Sequence, residues 1–329
     1  MLGQGDIITL ATGAYRLRAP LAGSSYGVVW QAAAPDGAPV ALKLVNQAHM
    51  RRAEPALQAR WVASANTEIG FLRALAPWDG RHIVRLLDHG VHDGLPVMAL
   101  ELLGPDLARA RGTPAPEQIL DWLGQINQAL ATVHQYGWLY LDLKPANVLC
   151  DTGAGAVKLA DFGTSRLRAG LPPGCYTGTA SWQAPEQFFP SARGTYDTGT
   201  GSDYFALGAL FYYLVTDGGQ LDFCARCGKA WRAFQSAAPA RLLAEHGGRI
   251  PATLQEHEAA HFSERIGTSA AGPALALLRA LLASAPQARP PHALAISRMI
   301  AAARAAGRAA RAAVHIARPA AGYAAAGPA

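Results

Sequence analysis

Residues 140–149 read YLDLKPANVL, in which Asp142, Lys144 and Asn147 interrupt an otherwise apolar run. Fourteen residues past Asn147 stands another aspartate, Asp161, in KLADFGTSR. Carboxylates, an ammonium and an amide hold protons, neutralise anions and exchange hydrogen bonds. At such fixed spacing they point to polar chemistry rather than packing. The lysine adds weight, because the chain has only four (Lys43, Lys144, Lys158, Lys229). Arginine is used almost everywhere else, so a retained lysine marks a place that needs a compact ammonium rather than a planar fork. The residue before Asp142 is Leu141, which raises the question whether the stretch lacks a part.

A second group of chemical side chains follows later. Cys224-x-x-Cys227 and His257-x-x-x-His261 resemble a Cys2His2 zinc set. The 29 residues between the pairs exceed the familiar spacing of about 12–15. Buried free thiols and surface histidines are the plainer reading.

These residues need a scaffold, and 329 residues suffice for two lobes with sizeable cores. Half the residues are hydrophobic and 16% are charged, as in globular proteins. The N-terminus lacks a basic, apolar leader, and no later apolar run is long enough to span a bilayer. A cytoplasmic location is expected. Four cysteines do not suggest a disulfide framework. The net charge of +6 arises near the C-terminus, where Arg298, Arg304, Arg308, Arg311 and Arg318 occur without an acid. The nearly neutral remainder gives no reason to expect specific nucleic-acid binding.

Residues 15–45 alternate like strands (YRLRAPL, GVVWQAAA, then PVALKLV after a PDG turn), and residues 60–76 carry apolar positions at helical spacing. HIVRLLDHGV and LPVMALELL read as two more strands around HDG. From residue 115 the pattern is mainly helical, with short strand-like pieces WLYL, NVLC and AVKLAD. This predicts an α+β fold: a small antiparallel lobe with one main helix (15–103) and a larger, mainly α-helical lobe (104–300). An N-terminal extension (1–14) and an Ala/Arg-rich basic tail (301–329) flank them. The tail reads as a solvated helix or an unstructured segment, with docking to an acidic partner or membrane surface as the functional alternative.

From about residue 15 to 300 the chain resembles a eukaryotic-type (Hanks-type) Ser/Thr protein kinase, and its Ala/Arg bias suggests a GC-rich bacterial genome. The resemblance implies a bilobal protein-kinase-like fold binding ATP and Mg2+ (or Mn2+) in the cleft, with protein substrates carrying Ser or Thr acceptors. Lys43 in PVALKLV would hold the α- and β-phosphates, paired with Glu68, 25 residues on. Asp142 would orient the substrate hydroxyl and accept its proton, and Lys144 would neutralise the moving phosphoryl group. Asn147 and Asp161 would be metal ligands. Leu21, Gly23, Ser24, Gly27, Val29, Ala41 and Leu149 would enclose the nucleotide. Leu100 would be the gatekeeper, with backbone groups of Glu101 and Leu103 bonding adenine. Thr179 would bond Asp142 and Lys144. Glu186 would pair with Arg289, Asp203 would brace the catalytic loop, and Leu72 would stack with Leu86, Phe162 and Tyr140.

The pattern departs from the family in two places. In LAGSSYGVVW the first two glycines of the phosphate loop become Ala22 and Ser24, which keep the N–H but add a Cβ, so weaker ATP binding is expected. Leu141 stands where the family usually has arginine. That substitution removes the cation that grips an activation-loop phosphate, so activity without such a phosphate is expected. Thr164, Ser165, Tyr176 and Thr177 remain modifiable in principle. Competing readings are a nucleotide-binding pseudokinase, supported by the glycine-poor loop, and a small-molecule kinase, opposed by the peptide-docking pattern GTASWQAPE.

Overall fold

The computed structural model describes residues 2–23, 27–110, 112–151, 153–168, 177–267 and 271–316, with side chains to residue 309. Six antiparallel strands form the small lobe: β1 (Ile7–Leu10), β2 (Gly13–Gly23), β3 (Gly27–Ala33), β4 (Pro39–Val45), β5 (Leu86–His92) and β6 (Leu95–Glu101). Their order is β1-β2-β3-β4-β6-β5.

Side chains alternate across β4 with period two. Val40, Leu42 and Leu44 join Val97 and Ala99 of β6 in a core with Ile8, Leu10, Tyr15 and Leu17. Ala41 and Met98 turn to the other face, into the cluster shared with the helices. Lys43 has the same parity as Ala41, and it lies in register between Val29 of β3 and Met98 of β6.

The N-terminal residues join this lobe, contrary to their assignment to an extension. Ile8 pairs with Tyr15, and Ile8 and Leu10 are buried. Asp88 of β5 fastens the β1–β2 turn, because its Oδ2 accepts from Thr12 N (2.8 Å), Thr12 Oγ1 (2.6 Å) and Tyr15 Oη (3.1 Å).

A short helix α1 (Gln47–Met50) precedes α2 (Pro55–Ala74). Proline at its first turn lets α2 begin before the apolar period does. Its inward face carries Trp61, Glu68, Ile69, Phe71 and Leu72.

The large lobe is built from α3 (Pro116–Gln135), the single turn α4 (Pro185–Phe188), α5 (Thr200–Val215), α6 (Asp222–Phe234), α7 (Ala238–Glu245), α8 (Glu256–Ile266), α9 (Ala271–Leu281) and α10 (Ala293–Ile316). Nearly every residue of α5 is buried, as an apolar helix at a domain centre requires. Two small antiparallel ladders face the cleft: β7 (Trp138–Leu139) with β10 (Arg166–Leu167), and β8 (Val148–Asp151) with β9 (Ala156–Leu159).

Helix α10 also departs from expectation. It runs through the lobe's anticipated end at residue 300, burying Ile296, Ile300 and Ala303. Arg304 is not part of a solvated stripe: it donates to Leu120 O (2.8 Å) and pairs with Asp121 Oδ1 (2.6 Å) on α3. Arg308 is exposed, and Arg311 and Arg318 lie outside the described side chains. Among the described residues, no helix is long and apolar enough to cross a membrane.

Candidate active site

The turn after β7 carries Tyr140, Leu141 and Asp142 into the cleft, and α5 holds its backbone. Asp203, in the first turn of α5, is fully buried and accepts from Tyr140 N (2.9 Å) and Leu141 N (2.7 Å), while His134 Nε2 lies 2.8 Å from it. A buried carboxylate is tolerated there because its oxygens are bonded and a helix N-terminus favours negative charge. Leu141 adopts φ +65°, a left-handed conformation disfavoured for any side chain other than glycine.

Asp142 is held in a closed triangle. Lys144 Nζ donates to Asp142 Oδ2 (2.7 Å) and to Thr179 Oγ1 (2.8 Å), and Thr179 Oγ1 donates to Asp142 Oδ1 (2.7 Å). Burial pushes the Asp142 carboxyl above its ordinary value, with Lys144 and Thr179 pulling it back in part. Proline at the start of the short turn Pro145–Asn147 sets the spacing of the next group. Asn147 Nδ2 donates to Asp142 O (2.9 Å) and Oδ2 (3.2 Å), which reserves the amide oxygen as an acceptor.

Across the cleft, Lys43 Nζ reaches Glu68 Oε2 (2.6 Å) and Asp161 Oδ1 (2.9 Å), linking β4, α2 and the DFG turn. Burial opposes the charge on Lys43, but the Asp161 and Glu68 carboxylates outweigh it and raise its pKa. Lys43 in turn draws the Asp161 carboxyl below the usual range. Ser64 of α2 bonds Gly163 O (2.9 Å), fixing the glycine of the same turn.

The donors suit a magnesium–triphosphate group. Asn147 contributes an amide oxygen and Asp161 a carboxylate left 48% exposed, both hard ligands of the kind Mg2+ takes alongside phosphates. Lys43 and Lys144 supply two cations around them.

The other residues expected to enclose a nucleotide are distributed as follows. Val29 and Ala41 lie on adjacent strands facing the cleft cluster, and Leu149 of β8 is half-buried. Leu100 is buried, whereas Leu103 is half-buried beside it. Glu101 donates its N–H to Arg85 O (3.0 Å). Its side chain pairs with Lys158 (2.7 Å). Leu21 is exposed on β2, Gly23 pairs with Val28, and Gly27 opens β3. Ser24 lies outside the described residues.

Behind the site, Phe162 packs edge-on to Tyr140 at 5.1 Å and stacks on Phe71 at 4.6 Å. Helix α2 thus adds the Phe71 ring beside the expected Leu72, and Leu72 is buried in the same cluster as Phe162 and Tyr140, with Leu86 packed against it. Glu186 and Arg289 form a two-pronged pair (2.7 and 2.9 Å), with Arg289 over the Phe205 ring.

No zinc set assembles. Cys224 and Cys227 lie in the core of α6, where burial raises both thiols, whereas His257 and His261 are exposed on α8. Among the described residues, no three His, Cys, Asp or Glu side chains are grouped to hold a metal.

Two buried glutamines escaped the sequence reading. Gln183 donates to Thr177 O (2.6 Å) and Gln187 to Leu141 O (3.2 Å). Nothing in their spacing announces this, since a Gln two residues before or after Pro185 reads equally well as part of a helix start.

Comparison with known proteins agrees with this geometry. The family described as "Protein kinase domain" matches residues 19–298. Serine/threonine-protein kinase PkaA of Streptomyces coelicolor is 33% identical over 216 residues, 61% of this chain and 38% of that protein. Serine/threonine-protein kinase PknL of Mycobacterium tuberculosis is 33% identical over 151 residues, 44% of this chain and 36% of that protein. Cyclin-dependent kinase F-1 of Oryza sativa subsp. japonica is 38% identical over 144 residues, 40% of this chain and 26% of that protein. The matched regions thus span between a quarter and two fifths of these curated relatives. A chain from the structure of the CAK complex of Chaetomium thermophilum bound to ATP-gamma-S superposes with TM-score 0.63 at 20% identity, covering 86% of this chain and 89% of that one, a likeness of fold. The family match runs through both lobes and takes in Lys43, Glu68, Asp142, Asn147 and Asp161, and on that ground the chain belongs to the protein kinase family.

Proposed function

We propose that this chain is an ATP-dependent protein kinase that phosphorylates Ser or Thr hydroxyls of protein substrates. The observation that carries the reading is the Asp142–Lys144–Thr179 triangle facing the Lys43–Glu68–Asp161 ion pairs. Asp142 orients the acceptor hydroxyl and takes its proton. Lys144 balances charge on the transferred group, and Lys43, fixed by Glu68, anchors the nucleotide. Asn147 and Asp161 would hold Mg2+ or Mn2+, which would supply charge neutralisation of the phosphates. The protein performs positioning and charge stabilisation rather than covalent catalysis.

Lysine at position 144 is the pattern of Ser/Thr kinases, hence the acceptor class. A cytoplasmic location agrees with the lack of a spanning helix among the described residues. Docking of the basic tail to an acidic partner or anionic membrane would draw on the exposed Arg308 with Arg311 and Arg318, since Arg304 is engaged with Asp121.

Radiolabelled ATP with a generic basic protein, tested with Mg2+ and with Mn2+, decides the reading. Transfer to Ser or Thr by wild type and its loss in Asp142→Asn are expected. Nucleotide binding without transfer under either metal would place the chain with pseudokinases, and label on an added sugar with small-molecule kinases.

A further inference from the structure

The left-handed backbone of Leu141 is gripped from both sides. Asp203 takes its N–H, and Gln187 Nε2 donates to its carbonyl at 3.2 Å. Gln187 is itself fixed, because its Oε1 accepts from Ala184 N (3.2 Å) at the start of α4. The carbonyl also abuts the segment that carries Thr179. Gly178 has φ +95°, and a Cβ on it would collide with Leu141 O and lie 3.6 Å from Gln187 Nε2. Gln183 secures the other flank through Thr177 O (2.6 Å). The hydrogen bond from Thr179 to Asp142 therefore lies between two amide bonds, one to the residue before Asp142 and one to the residue two before Thr179. Both glutamines are almost wholly buried, Gln183 at 1% and Gln187 at 2% exposure.

We propose that Gln187, supported by Gln183, is a positioning residue, an uncharged clamp that keeps the Thr177–Thr179 segment in register with Asp142. It touches neither substrate nor nucleotide and acts through the Leu141 carbonyl. The proposal rests on the kinase reading for its kinetic consequence but not for its structural one. A neutral amide in a buried site is insensitive to salt and needs no phosphate to be switched on. Leu141 supplies no cation, so the backbone carbonyl rather than a side chain at this position becomes the handle.

Two variants test it. Gln187→Met keeps the volume and removes the donor. Its kcat/KM for a protein substrate is expected to fall about 10- to 100-fold, the scale of a small misplacement of catalytic groups, while KM for ATP is unchanged. Gln187→Glu, ionised, can only accept, whereas its protonated form donates to Leu141 O again. The activity ratio of Gln187→Glu to Gln187→Met should therefore rise as pH falls. Hydrogen exchange supplies a readout independent of transfer: amides in 139–143 and 177–182 should exchange faster in Gln187→Met. Faster exchange there supports the clamp even if the wild-type protein transfers no phosphate, in which case only the kinase reading fails. Wild-type exchange in those segments overturns the clamp. So does a lowered unfolding temperature with unchanged kinetics per folded molecule.

Discussion

At the scale of single residues, Lys43 serves two carboxylates with one small ammonium group, 2.6 Å from Glu68 and 2.9 Å from Asp161. A guanidinium keeps the charge but spreads it over a planar fork that does not fit between two such close partners. Lys43→Arg is expected to lose most transfer activity in a radiolabel assay, and near-wild-type turnover would remove Lys43 from its anchoring role. Asp142 gives a pH prediction. Burial raises its carboxyl, and the Thr179 hydroxyl lowers it by donating to the ionised form. The acid limb of the kcat/KM profile, which reports the free enzyme, should therefore lie above the ordinary Asp range. Thr179→Val removes a bond made to the charged form, so protonation becomes easier and the limb should move to higher pH. A limb that stays in place, or moves down, would show that Asp142 is not the group titrating.

At the scale of elements, β1 shows how a short strand becomes part of a core. IITL is too brief for its alternation to be decisive in the sequence, yet Ile8 and Leu10 are buried under the sheet while Ile7 is half exposed. Asp88 ties the β1–β2 turn to β5 through Thr12 and Tyr15. Ile8→Ala should then cost roughly 2–5 kcal/mol of unfolding free energy in denaturant titration. Ile7→Ala should stay within about 0.5 kcal/mol, as a surface change does. Equal effects from the two would place β1 outside the cooperative unit. Helix α10 follows the same logic at the other terminus. Beyond residue 300 its Ala/Arg composition reads as a solvated rod, but Ala303 continues at helical spacing the buried row of Ile296 and Ile300. The composition concealed a periodicity that is present.

At the scale of the whole molecule, the site was more legible in the sequence than the contacts that position it. Asp142, Lys144, Asn147 and Asp161 stand out because polar groups in an apolar run need a reason, and Lys43 stands out because lysine is scarce. Gln183 and Gln187 do not, since their partners are backbone carbonyls, which every residue has, and only the folded chain selects Thr177 and Leu141. Phe71 and Leu72 are adjacent apolar residues buried in one cluster, and only the folded chain shows that the Phe71 ring stacks on Phe162. The Cys and His pairs show the converse, a sequence pattern that the fold separates into core and surface.

The question raised by Leu141 reaches the whole molecule too, because it concerns how the two lobes become competent. In this arrangement Lys43 already joins the small lobe to Asp161, and Tyr136 of the large lobe bonds Asp79 (2.6 Å) beyond α2. Two hydroxyls of the segment are engaged inward: Ser165 Oγ donates to Tyr140 O and Thr177 Oγ1 to Thr164 O, both residues being buried. A phosphate on either would carry up to two negative charges into a site without the cation that Leu141 displaces, at a large desolvation cost. Phosphorylation there would disrupt the competent arrangement rather than create it. Exhaustive phosphatase treatment, verified by intact mass, is therefore expected to leave the rate of protein phosphorylation unchanged. A collapse of activity that returns on autophosphorylation would mean that the catalytic loop is ordered by a charge and not by the bonds to Leu141.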